Sequence, residues 1–197
     1  MEKSVIIYSI VLAVFIYLVV ELVRARNKVK KLGRLDPLTG VANRNAFYDI
    51  AGTELKRNKR YKHPFTVAYI DIDNLKMVNY RLGHSAGDNL LNSVAAAIKK
   101  DIRDVDLVSR FGGDEFAVLL PETSAESAQV VLSRLRNRLL ELMKKRDLPT
   151  TFSFGAMTFT APPDSVEDMV KKAGSMMYSA KNSGTNMIDQ DVFDGRN

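Results

Sequence analysis

The sequence predicts an α/β sandwich, in which a central, mainly antiparallel sheet is flanked by helices and preceded by one N-terminal transmembrane helix. Three observations lead to this prediction. After an opening helix, short β-rich runs and longer amphipathic segments follow the order β-α-α-β-β-α-β-α-β. Two of the β-rich runs are joined through Gly112 and Gly113, which is a hairpin signal. Finally, residues 4–20 carry no charge.

The composition narrows the possible functions. The 197 residues have room for one core of ordinary size plus an appendage, and 46% hydrophobic residues are typical of a globular protein. The absence of cysteine excludes disulfides and thiolate metal sites, and two histidines are too few for a histidine-rich zinc site. The net charge of +6 is concentrated in residues 24–34, which contain six basic residues and no acidic one. We therefore expect no nucleic-acid partner.

The N-terminal segment 4–23 is predicted to be a transmembrane helix. The seventeen uncharged residues 4–20 would form a helix of roughly 26 Å, and continuing to residue 23 lets it span a hydrocarbon core of about 30 Å. A cleaved signal peptide would need a small-x-small cleavage site, which does not follow Val20, and a buried helix is rarely apolar all round. The basic residues that follow predict a single pass through the inner (cytoplasmic) membrane, with the N-terminus outside and residues 24–197 cytoplasmic.

Residues 24–34 are predicted to form a basic stalk helix or linker. Six apolar residues follow alternating spacings of three and four, as in a two-stranded coiled coil: Phe15, Leu18, Leu22, Ala25, Val29 and Leu32. The stripe covers fewer than three heptads, so a single helix with incidental spacing remains the alternative. Gly33 and the turn-forming segment 36–40 end it.

The first half of the main domain, which is predicted over residues 35–192, begins with a helix. Asn43 can cap this helix, which runs to about residue 60. Pro64 precedes "FTVAYIDI" (65–72), a β-rich run that predicts a buried strand. A short helix over 74–82 ends at a glycine, and a longer helix over 86–103 has apolar residues at helical spacing.

The second half consists of the hairpin and three further elements. Strands are predicted over 106–111, 115–120 and 150–160, and an edge strand over 186–193. Long amphipathic helices are predicted over 124–146, with Ser124 as the N-cap, and over 165–183. Residues 193–197 form a tail.

Two pairs of acidic residues stand out at the strand ends. Asp114 and Glu115 lie at the tip of the hairpin, where turns often carry polar residues without a function. Asp71 and Asp73 end the buried strand, where side chains two apart point to the same side, although residue 73 begins a turn. If this strand and the hairpin are neighbours, Asp71 and Asp114 converge, and both resist ionisation unless a cation lies between them.

The ligand chemistry of these residues points to a nucleotide. Oxygen ligands favour Mg²⁺, with Mn²⁺ possible, and Mg²⁺ usually completes its shell with water and substrate phosphates. Gly112 and Gly113 lack Cβ atoms and allow the backbone to approach a bound phosphate or base closely. The pattern indicates metal-assisted chemistry on a nucleotide.

Four ordered motifs resemble those of the GGDEF family of diguanylate cyclases. They are "GGDEF" (112–116), "DPLTGVANRNAF" (36–47), "IDIDNLKMVNYRLGHSAGDNLL" (70–91) and "YSAKNSGTN" (178–186). The resemblance covers about residues 35–190 and implies a palm-like nucleotidyl-cyclase fold. It also implies that two GTP molecules are condensed into cyclic di-GMP and two pyrophosphates, by a homodimer in which each domain holds one GTP.

The resemblance implies a role for each matching residue. Asp71, the carbonyl of Ile72 and Asp114 would hold Mg²⁺, and Glu115 would be a further metal ligand or a proton acceptor. Asp71, Asp114 and Glu115 would thus be catalytic. The implied substrate-binding residues are the guanine-reading pair, the phosphate-contacting lysines and the two glycines: Asn79, Asp88, Lys76, Lys181, Gly112 and Gly113.

A further match is regulatory. "RDVD" (103–106) resembles the family's RxxD site, at which the product binds and inhibits, and it lies five residues before the glycines. Arg103 can contact guanine O6 and N7, and Asp106 can accept from the N–H edge of the base. The alternative interpretation is an ordinary charge pair between a helix and a strand.

Five positions depart from the family's pattern. Tyr80 replaces an Asp, Asn74 and Leu75 occupy a usually aromatic place, Gly174 replaces an acidic residue, and Thr185 replaces a basic one. Losing one charge-assisted phosphate contact at Thr185 weakens GTP affinity about ten- to a hundredfold. Two other functions therefore stay open: a weak or inactive domain that acts as a cyclic di-GMP receptor through Arg103 and Asp106, and a membrane-anchored scaffold.

Overall fold

In the computed structural model, the described residues are 8, 12–24 and 33–196, and the chain divides into two units, Met1–Arg34 and Leu35–Asn197. In the first unit, residues 12–24 are helical. No helix within the described ranges is both long and apolar enough to cross a membrane. The predicted span 4–23 includes residues 4–7 and 9–11, and the predicted stalk includes 25–32, all of which lie outside the described residues.

The second unit contains the elements that the sequence predicts, with shifts of one or two residues at their ends, and one short strand that the sequence did not indicate. In chain order they are β1 (Ala42–Asn43), α1 (Arg44–Tyr61), β2 (Phe65–Ile72), α2 (Leu75–Leu82), α3 (His84–Asp101), β3 (Leu107–Gly112), β4 (Glu115–Leu120), α4 (Ala125–Lys145), β5 (Phe152–Phe159), α5 (Val166–Ser183) and β6 (Ile188–Phe193). The unpredicted strand, β1, has only two residues, too few for a periodic signal.

The six strands of the described residues form one sheet in the order β1-β3-β4-β2-β5-β6. The three central pairs, β3/β4, β4/β2 and β2/β5, are antiparallel, whereas the outer pairs β1/β3 and β5/β6 are parallel. The predicted mainly antiparallel sheet is therefore a mixed one. The β5/β6 pair is parallel because α5 carries the chain back to the end of the sheet at which β5 begins.

Helices cover both faces of the sheet, and the alternation of side chains along β2 divides the core. Ala68, Ile70 and Ile72 pack on the side of α3 and α4. Phe65, Val67 and Tyr69 pack on the other side, with residues of α1 and α5. Asp71 shares this second face, because residues two apart on a strand point the same way.

Two predicted helix caps are confirmed. The Asn43 side chain accepts a hydrogen bond from the Ala46 N–H at 3.0 Å. The Ser124 hydroxyl accepts one from the Ser127 N–H at 3.3 Å. Each cap satisfies a backbone donor that the first turn of a helix leaves without a partner.

Close packing of α5 on β5 depends on Gly155. A Cβ atom at this position would overlap the backbone of α5 at Ala173 and Met177. Without it, α5 lies directly against the sheet, which brings Lys181 in the last turn of α5 to the end of β2.

Candidate active site

The pairing of β2 with β4 brings Asp71 and Asp114 together. β2 ends where β4 begins, so that Asp71 pairs directly with Glu115, and the Ile72 N–H donates to the Asp114 carbonyl at 3.1 Å. The strand and the glycine hairpin are thus neighbours, as the proposed convergence of Asp71 and Asp114 requires.

The charge of Asp71 is only partly balanced. Its side chain is 6% exposed, and burial raises the pKa of its carboxyl above the usual range. Lys181 opposes this effect, with Nζ 2.6 Å from Asp71 Oδ1, while the nearby charge of Asp114 raises the pKa further. Two carboxylates and one ammonium group leave room for a further cation at this place.

An open cleft of about 530 Å³ lies beside these residues. Its lining includes three carboxylates, two lysines, Ile72 and three positions that depart from the family's pattern: Asp71, Asp73, Asp114, Lys76, Lys181, Ile72, Asn74, Leu75 and Thr185. A cleft that combines carboxylates with lysines suits a metal ion together with an anionic ligand.

The donor set of the cleft fits Mg²⁺ better than a softer metal. Within the described residues, no three His, Cys, Asp or Glu side chains converge to hold a metal ion by themselves. Of the three carboxylates that line the cleft, Asp73 is already hydrogen-bonded by Thr151 and Ser153. Asp71 and Asp114 are therefore the carboxylates left for a cation, and Ile72 lines the cleft with them. Mg²⁺ commonly binds to one or two carboxylates and takes its remaining oxygen ligands from water and substrate phosphates.

Glu115 has a different environment from Asp114. Its carboxylate accepts a hydrogen bond from the Tyr69 hydroxyl at 3.1 Å. Burial, together with the charge of Glu115, raises the pKa of Tyr69, so that this phenol stays protonated and donates. The roles of Glu115 as a metal ligand or proton acceptor stay predictions.

Tyr69 was missed in the sequence, although a signal was present. It lies two residues before Asp71 on β2, so both side chains occupy one face of the strand. Asp73 lines the same cleft, and its charge helps to raise the pKa of Asp71, but its own carboxylate has hydrogen-bond partners in the chain. Its carboxylate accepts from the hydroxyls of Thr151 at 2.6 Å and Ser153 at 2.9 Å, and from the Asn186 N–H at 3.2 Å. Asp73 therefore ties together the segments that flank the cleft.

Arg110 of β3 and Asp36 hold the glycine turn, Gly112 and Gly113, in place. Gly113 has φ of 45°, a left-handed value that glycine adopts without strain. The Gly113 carbonyl accepts from Arg110 Nη2 at 2.7 Å, and Nη1 of the same arginine donates to Asp36 at 3.2 Å. The segment around residue 36, known from the sequence only as a turn, thus supports the turn that carries Asp114.

Asp36 stays ionised in this arrangement. Burial alone would favour its neutral form, but hydrogen bonds from the hydroxyl and N–H of Thr39, with the guanidinium of Arg110, lower its pKa. The Thr39 hydroxyl lies 2.6 Å from Asp36 Oδ1 and the N–H 2.8 Å.

The predicted guanine-reading pair lies along α2 and α3. Lys76 lies in the first turn of α2 at the cleft, and Asn79 follows three residues later, roughly 4.5 Å along the helix axis. The side-chain amide oxygen of Asn79, Oδ1, is buried and accepts no hydrogen bond from the described residues. A Cβ at Gly87 would overlap that oxygen, so Gly87 lets α3 approach Asn79 closely, with the exposed Asp88 next in the chain.

Arg103 and Asp106 are paired with each other. Arg103 donates from Nε and Nη2 to the Asp106 carboxylate, at distances between 2.7 and 3.1 Å, and its backbone N–H donates to the same group at 2.9 Å. Nη2 also donates to the Pro121 carbonyl at 3.1 Å and to Thr123 Oγ1 at 2.9 Å.

The departures from the family's pattern fall in different environments. Leu75 is buried in the core, so an apolar side chain suits that place. Asn74 has φ of 63°, which asparagine tolerates better than most residues. Thr185 lines the cleft, as do Asn74 and Leu75, whereas Tyr80 is 91% exposed. Nothing in the structure explains Gly174.

Comparisons with known proteins agree with this geometry. Residues 34–187 match the family described as "Diguanylate cyclase, GGDEF domain". The chain is 36% identical over 157 residues to diguanylate cyclase DgcP of Pseudomonas aeruginosa, covering 78% of this chain and 23% of that protein. It is 33% identical over 168 residues to cyclic di-GMP phosphodiesterase NbdA of the same organism, covering 84% of this chain and 22% of that protein.

Among solved structures, the GGDEF domain of DgcB from Caulobacter crescentus in complex with c-di-GMP has a TM-score of 0.72 at 26% identity, covering 80% of this chain and 95% of that chain. Diguanylate cyclase SiaD from Pseudomonas aeruginosa, in complex with its activator SiaC, has a TM-score of 0.73 at 29% identity, covering 91% of this chain and 70% of that chain. The chain spans under a quarter of DgcP and NbdA, so what those whole proteins do is not thereby shown for it.

Proposed function

This chain belongs to the GGDEF family of diguanylate cyclase domains, and we propose that it condenses two GTP molecules into cyclic di-GMP with release of two pyrophosphates. One observation carries the proposal. Asp71 and Asp114 lie at one cleft with Lys181 and Lys76, at the end of the two central strands. A pair of carboxylates with basic residues beside it suits a metal-bound triphosphate.

At the phosphates, Asp71, Asp114 and the carbonyl of Ile72 would hold Mg²⁺, and Mn²⁺ has similar ligand preferences. When bound, the metal ion supplies charge stabilisation at the phosphoryl oxygens. Lys76 and Lys181 contribute positive charge to the same cleft. We assign them to the β- and γ-phosphates, where an ammonium group acts as a point charge.

At the base, Asn79 and Asp88 would select guanine. A carboxylate accepts hydrogen bonds from the N1–H and N2–H₂ edge of guanine, and adenine lacks this pair of donors. Lys76 lines the cleft, and Asn79, on the same helix α2, contacts α3 at Gly87. We therefore place the phosphates in the cleft and the base beside α3. Gly112 and Gly113 leave space for the nucleotide at the hairpin, because a Cβ at either would meet nothing within 4 Å.

The reaction needs two copies of the chain. Each domain binds one GTP, and the 3′-hydroxyl of each nucleotide attacks the α-phosphate of the other. Glu115, which lies opposite Asp71 and is oriented by the Tyr69 hydroxyl, would accept the proton of the hydroxyl group. A homodimer is thus part of the proposed mechanism.

The test is GTP turnover by the purified full chain in detergent micelles with Mg²⁺, measured as cyclic di-GMP formed. Asp114→Ala should abolish product formation, whereas Asp164→Ala, which removes an exposed carboxylate far along the chain from the cleft residues, should leave it intact. No product from the wild-type chain under these conditions would overturn the proposal.

A second candidate function is a receptor that binds cyclic di-GMP through Arg103 and Asp106 without synthesising it. The observation that favours it is Thr185, since the cleft lacks a basic side chain at this position. Arg103→Ala distinguishes the two. In a product-inhibited cyclase this change raises the steady-state level of product, and in a receptor it removes ligand binding while there is no synthesis to raise.

We also propose that residues 4–23 anchor the chain in the inner membrane, with the GGDEF domain on the cytoplasmic side. The support is the uncharged sequence and, in its described part, exposed apolar side chains such as Leu12, Phe15 and Leu22. Fractionation of cells that express the full chain tests this proposal. Recovery of the chain in the soluble fraction, rather than in the detergent-extractable membrane fraction, would contradict it.

A further inference from the structure

We propose that Thr123 is a positioning residue of the product site: it holds Arg103 in a closed pair with Asp106 and thereby sets the cyclic di-GMP concentration at which the product binds. This inference rests on the proposed product site at Arg103 and Asp106. It concerns the product site before the ligand binds.

In the closed pair, two of the three guanidinium nitrogens of Arg103, Nε and Nη2, donate hydrogen bonds. Nε donates to both oxygens of Asp106, and Nη2 is shared among Asp106, the Pro121 carbonyl and Thr123. A bidentate contact with guanine O6 and N7 needs two parallel N–H groups from neighbouring nitrogens. Only Nη1 makes no hydrogen bond to the described residues, so the closed arginine cannot present the second donor of such a contact.

Asp106 is equally occupied. Both of its oxygens accept from Arg103, and one also accepts from the Arg103 backbone N–H at 2.9 Å. Its side chain is 2% exposed, whereas that of Arg103 is 55% exposed. Arg103 is therefore the member of the pair that can move, and its departure opens both recognition groups at once.

Thr123 is the fixed partner in this arrangement. Its residue is 3% exposed, and its hydroxyl donates to the Pro121 carbonyl at 2.8 Å, which leaves the lone pairs of Oγ1 for Arg103. Its backbone is fastened to the start of β2, because its N–H donates to the Pro64 carbonyl at 3.0 Å and its carbonyl accepts from the Thr66 hydroxyl at 3.1 Å. Rigid acceptors hold a mobile arginine more effectively than flexible ones.

A small cavity of about 190 Å³ adjoins the closed pair, and its lining includes Arg103, Asp106, Thr123 and Arg134. A ligand that enters here meets Arg103 while its guanidinium is still bonded to Thr123 and Asp106. The apparent affinity for the ligand is then the intrinsic affinity multiplied by the fraction of molecules in which Arg103 has been released. Each acceptor that holds the guanidinium lowers that fraction.

Thr123→Val tests the inference, because valine keeps the shape of threonine and removes the hydroxyl. Cyclic di-GMP binding is measured by calorimetry on the full chain in detergent micelles, for the wild type, Thr123→Val, Thr123→Ser and Arg103→Ala. We expect Thr123→Val to bind about three- to tenfold more tightly than the wild type, since one charge-assisted hydrogen bond no longer opposes release. Thr123→Ser keeps the hydroxyl and should bind like the wild type.

A role of Thr123 in folding alone would lower the melting temperature of Thr123→Val without tightening binding, and that result would overturn the inference. Equal or weaker binding by Thr123→Val, with Arg103→Ala unable to bind, would do the same while leaving the product site intact. If no variant binds cyclic di-GMP, both the product site and the inference fail. GTP turnover, measured separately, then shows whether the catalytic proposal stands.

Discussion

Two groups of charged residues at opposite ends of the sheet differ in how far their charges are balanced. At the cleft, Asp71 and Asp114 lie together with Lys181 as a close counterion, and burial raises the pKa of Asp71. At the helix-to-strand connection before β3, Arg103 and Asp106 make several hydrogen bonds with each other and with the β4–α4 connection. The carboxylates of the first group have too little positive charge beside them, whereas in the second group the charge of Asp106 is balanced by that of Arg103.

If both groups bind ligands as proposed, the ligand at the cleft adds charge balance that is missing, whereas the ligand at Arg103 and Asp106 must first displace existing hydrogen bonds. Buried carboxylates without enough counterions are costly in the isolated chain and are stabilised by a metal ion. A saturated ion pair is stable without a ligand, so binding there competes with contacts that already exist. A sequence motif alone does not distinguish the two cases, because both contain one or two acidic residues near a strand end.

The largest effect is expected from removing a carboxylate at the cleft. Asp71→Asn should lower turnover of GTP by roughly 10²- to 10³-fold, because the metal ion that Asp71 is proposed to hold would supply several kcal/mol of transition-state stabilisation. The matched control is Asp101→Asn, since Asp101 is paired with Arg134 at 3.0 Å and Arg138 at 3.2 Å and does not line the cleft. The measurement is cyclic di-GMP formed per minute by each purified variant.

Equal losses of turnover in Asp71→Asn and Asp101→Asn would contradict the comparison. Turnover would then depend as strongly on Asp101, whose charge is balanced by two arginines, as on Asp71, whose charge is only partly balanced. Melting curves of both variants are needed beside the turnover, since Asp101→Asn removes two ion pairs and should lower the melting temperature.

A smaller effect, on stability, is expected at Asp36, which supports the glycine turn through Arg110. Asp36→Asn should destabilise the domain by about 1–2 kcal/mol at pH 7, the range for hydrogen bonds to a charged group that is partly exposed. The pKa of Asp36 is lowered in the folded chain. Its stabilising contribution is therefore present above the unfolded pKa of about 3.9 and is lost as the pH falls through the folded value.

Urea unfolding at several pH values measures this dependence. The stability difference between the wild type and Asp36→Asn should shrink as the pH falls below about 4. A difference that stays constant to pH 2 would show that the charge of Asp36 plays no part, and Asp164→Asn, at an exposed position, is the control.

The third prediction adds a basic residue to the cleft. Thr185→Lys should lower the KM for GTP about three- to tenfold, because a lysine at the cleft wall can contact a phosphate. Gly184→Ala is not a suitable control, since Gly184 has φ of 137°. Ser183→Lys places the same charge two residues away, at an exposed position outside the cleft lining, and should leave KM unchanged.

The smallest effect is expected at Tyr80. This side chain is 91% exposed, so Tyr80→Asp should change the free energy of unfolding by less than about 0.5 kcal/mol. We expect KM and kcat to stay within about twofold of the wild type. A large increase in KM would mean that Tyr80 contacts GTP, which would extend the cleft along the exposed face of α2.

The sequence predicted the helices and strands well because local signals agreed with the fold. Asn43 and Ser124 cap the helices they were expected to cap, and the buried strand was placed at its observed bounds, Phe65–Ile72. The strand that the sequence did not predict, β1, depends on a contact between residues that are distant in the chain. β1 exists because Ala42 and Asn43 pair with β3, and its two residues carry no periodicity of their own.

For the site, the sequence predicted a chemistry but not the state of each group. Two pairs of acidic residues at strand ends, Asp71 with Asp73 and Asp114 with Glu115, together with the glycine turn, led to the prediction of metal-assisted nucleotide chemistry. The sequence did not reveal that Tyr69 donates to Glu115, because the two residues lie 46 positions apart in the chain.

The sequence by itself therefore determined the order of elements, the family and the oxygen-rich character of the cleft, since these depend on local periodicity, motif spacing and residue type. Only the tertiary structure decided which carboxylates are balanced. Asp73 accepts from Thr151 and Asn186, which are 78 and 113 residues away, and Arg103, the partner of Asp106, is held by Thr123, 20 residues further on. Such partners meet only when the sheet forms, because charge balance depends on distance in space and not on separation along the chain.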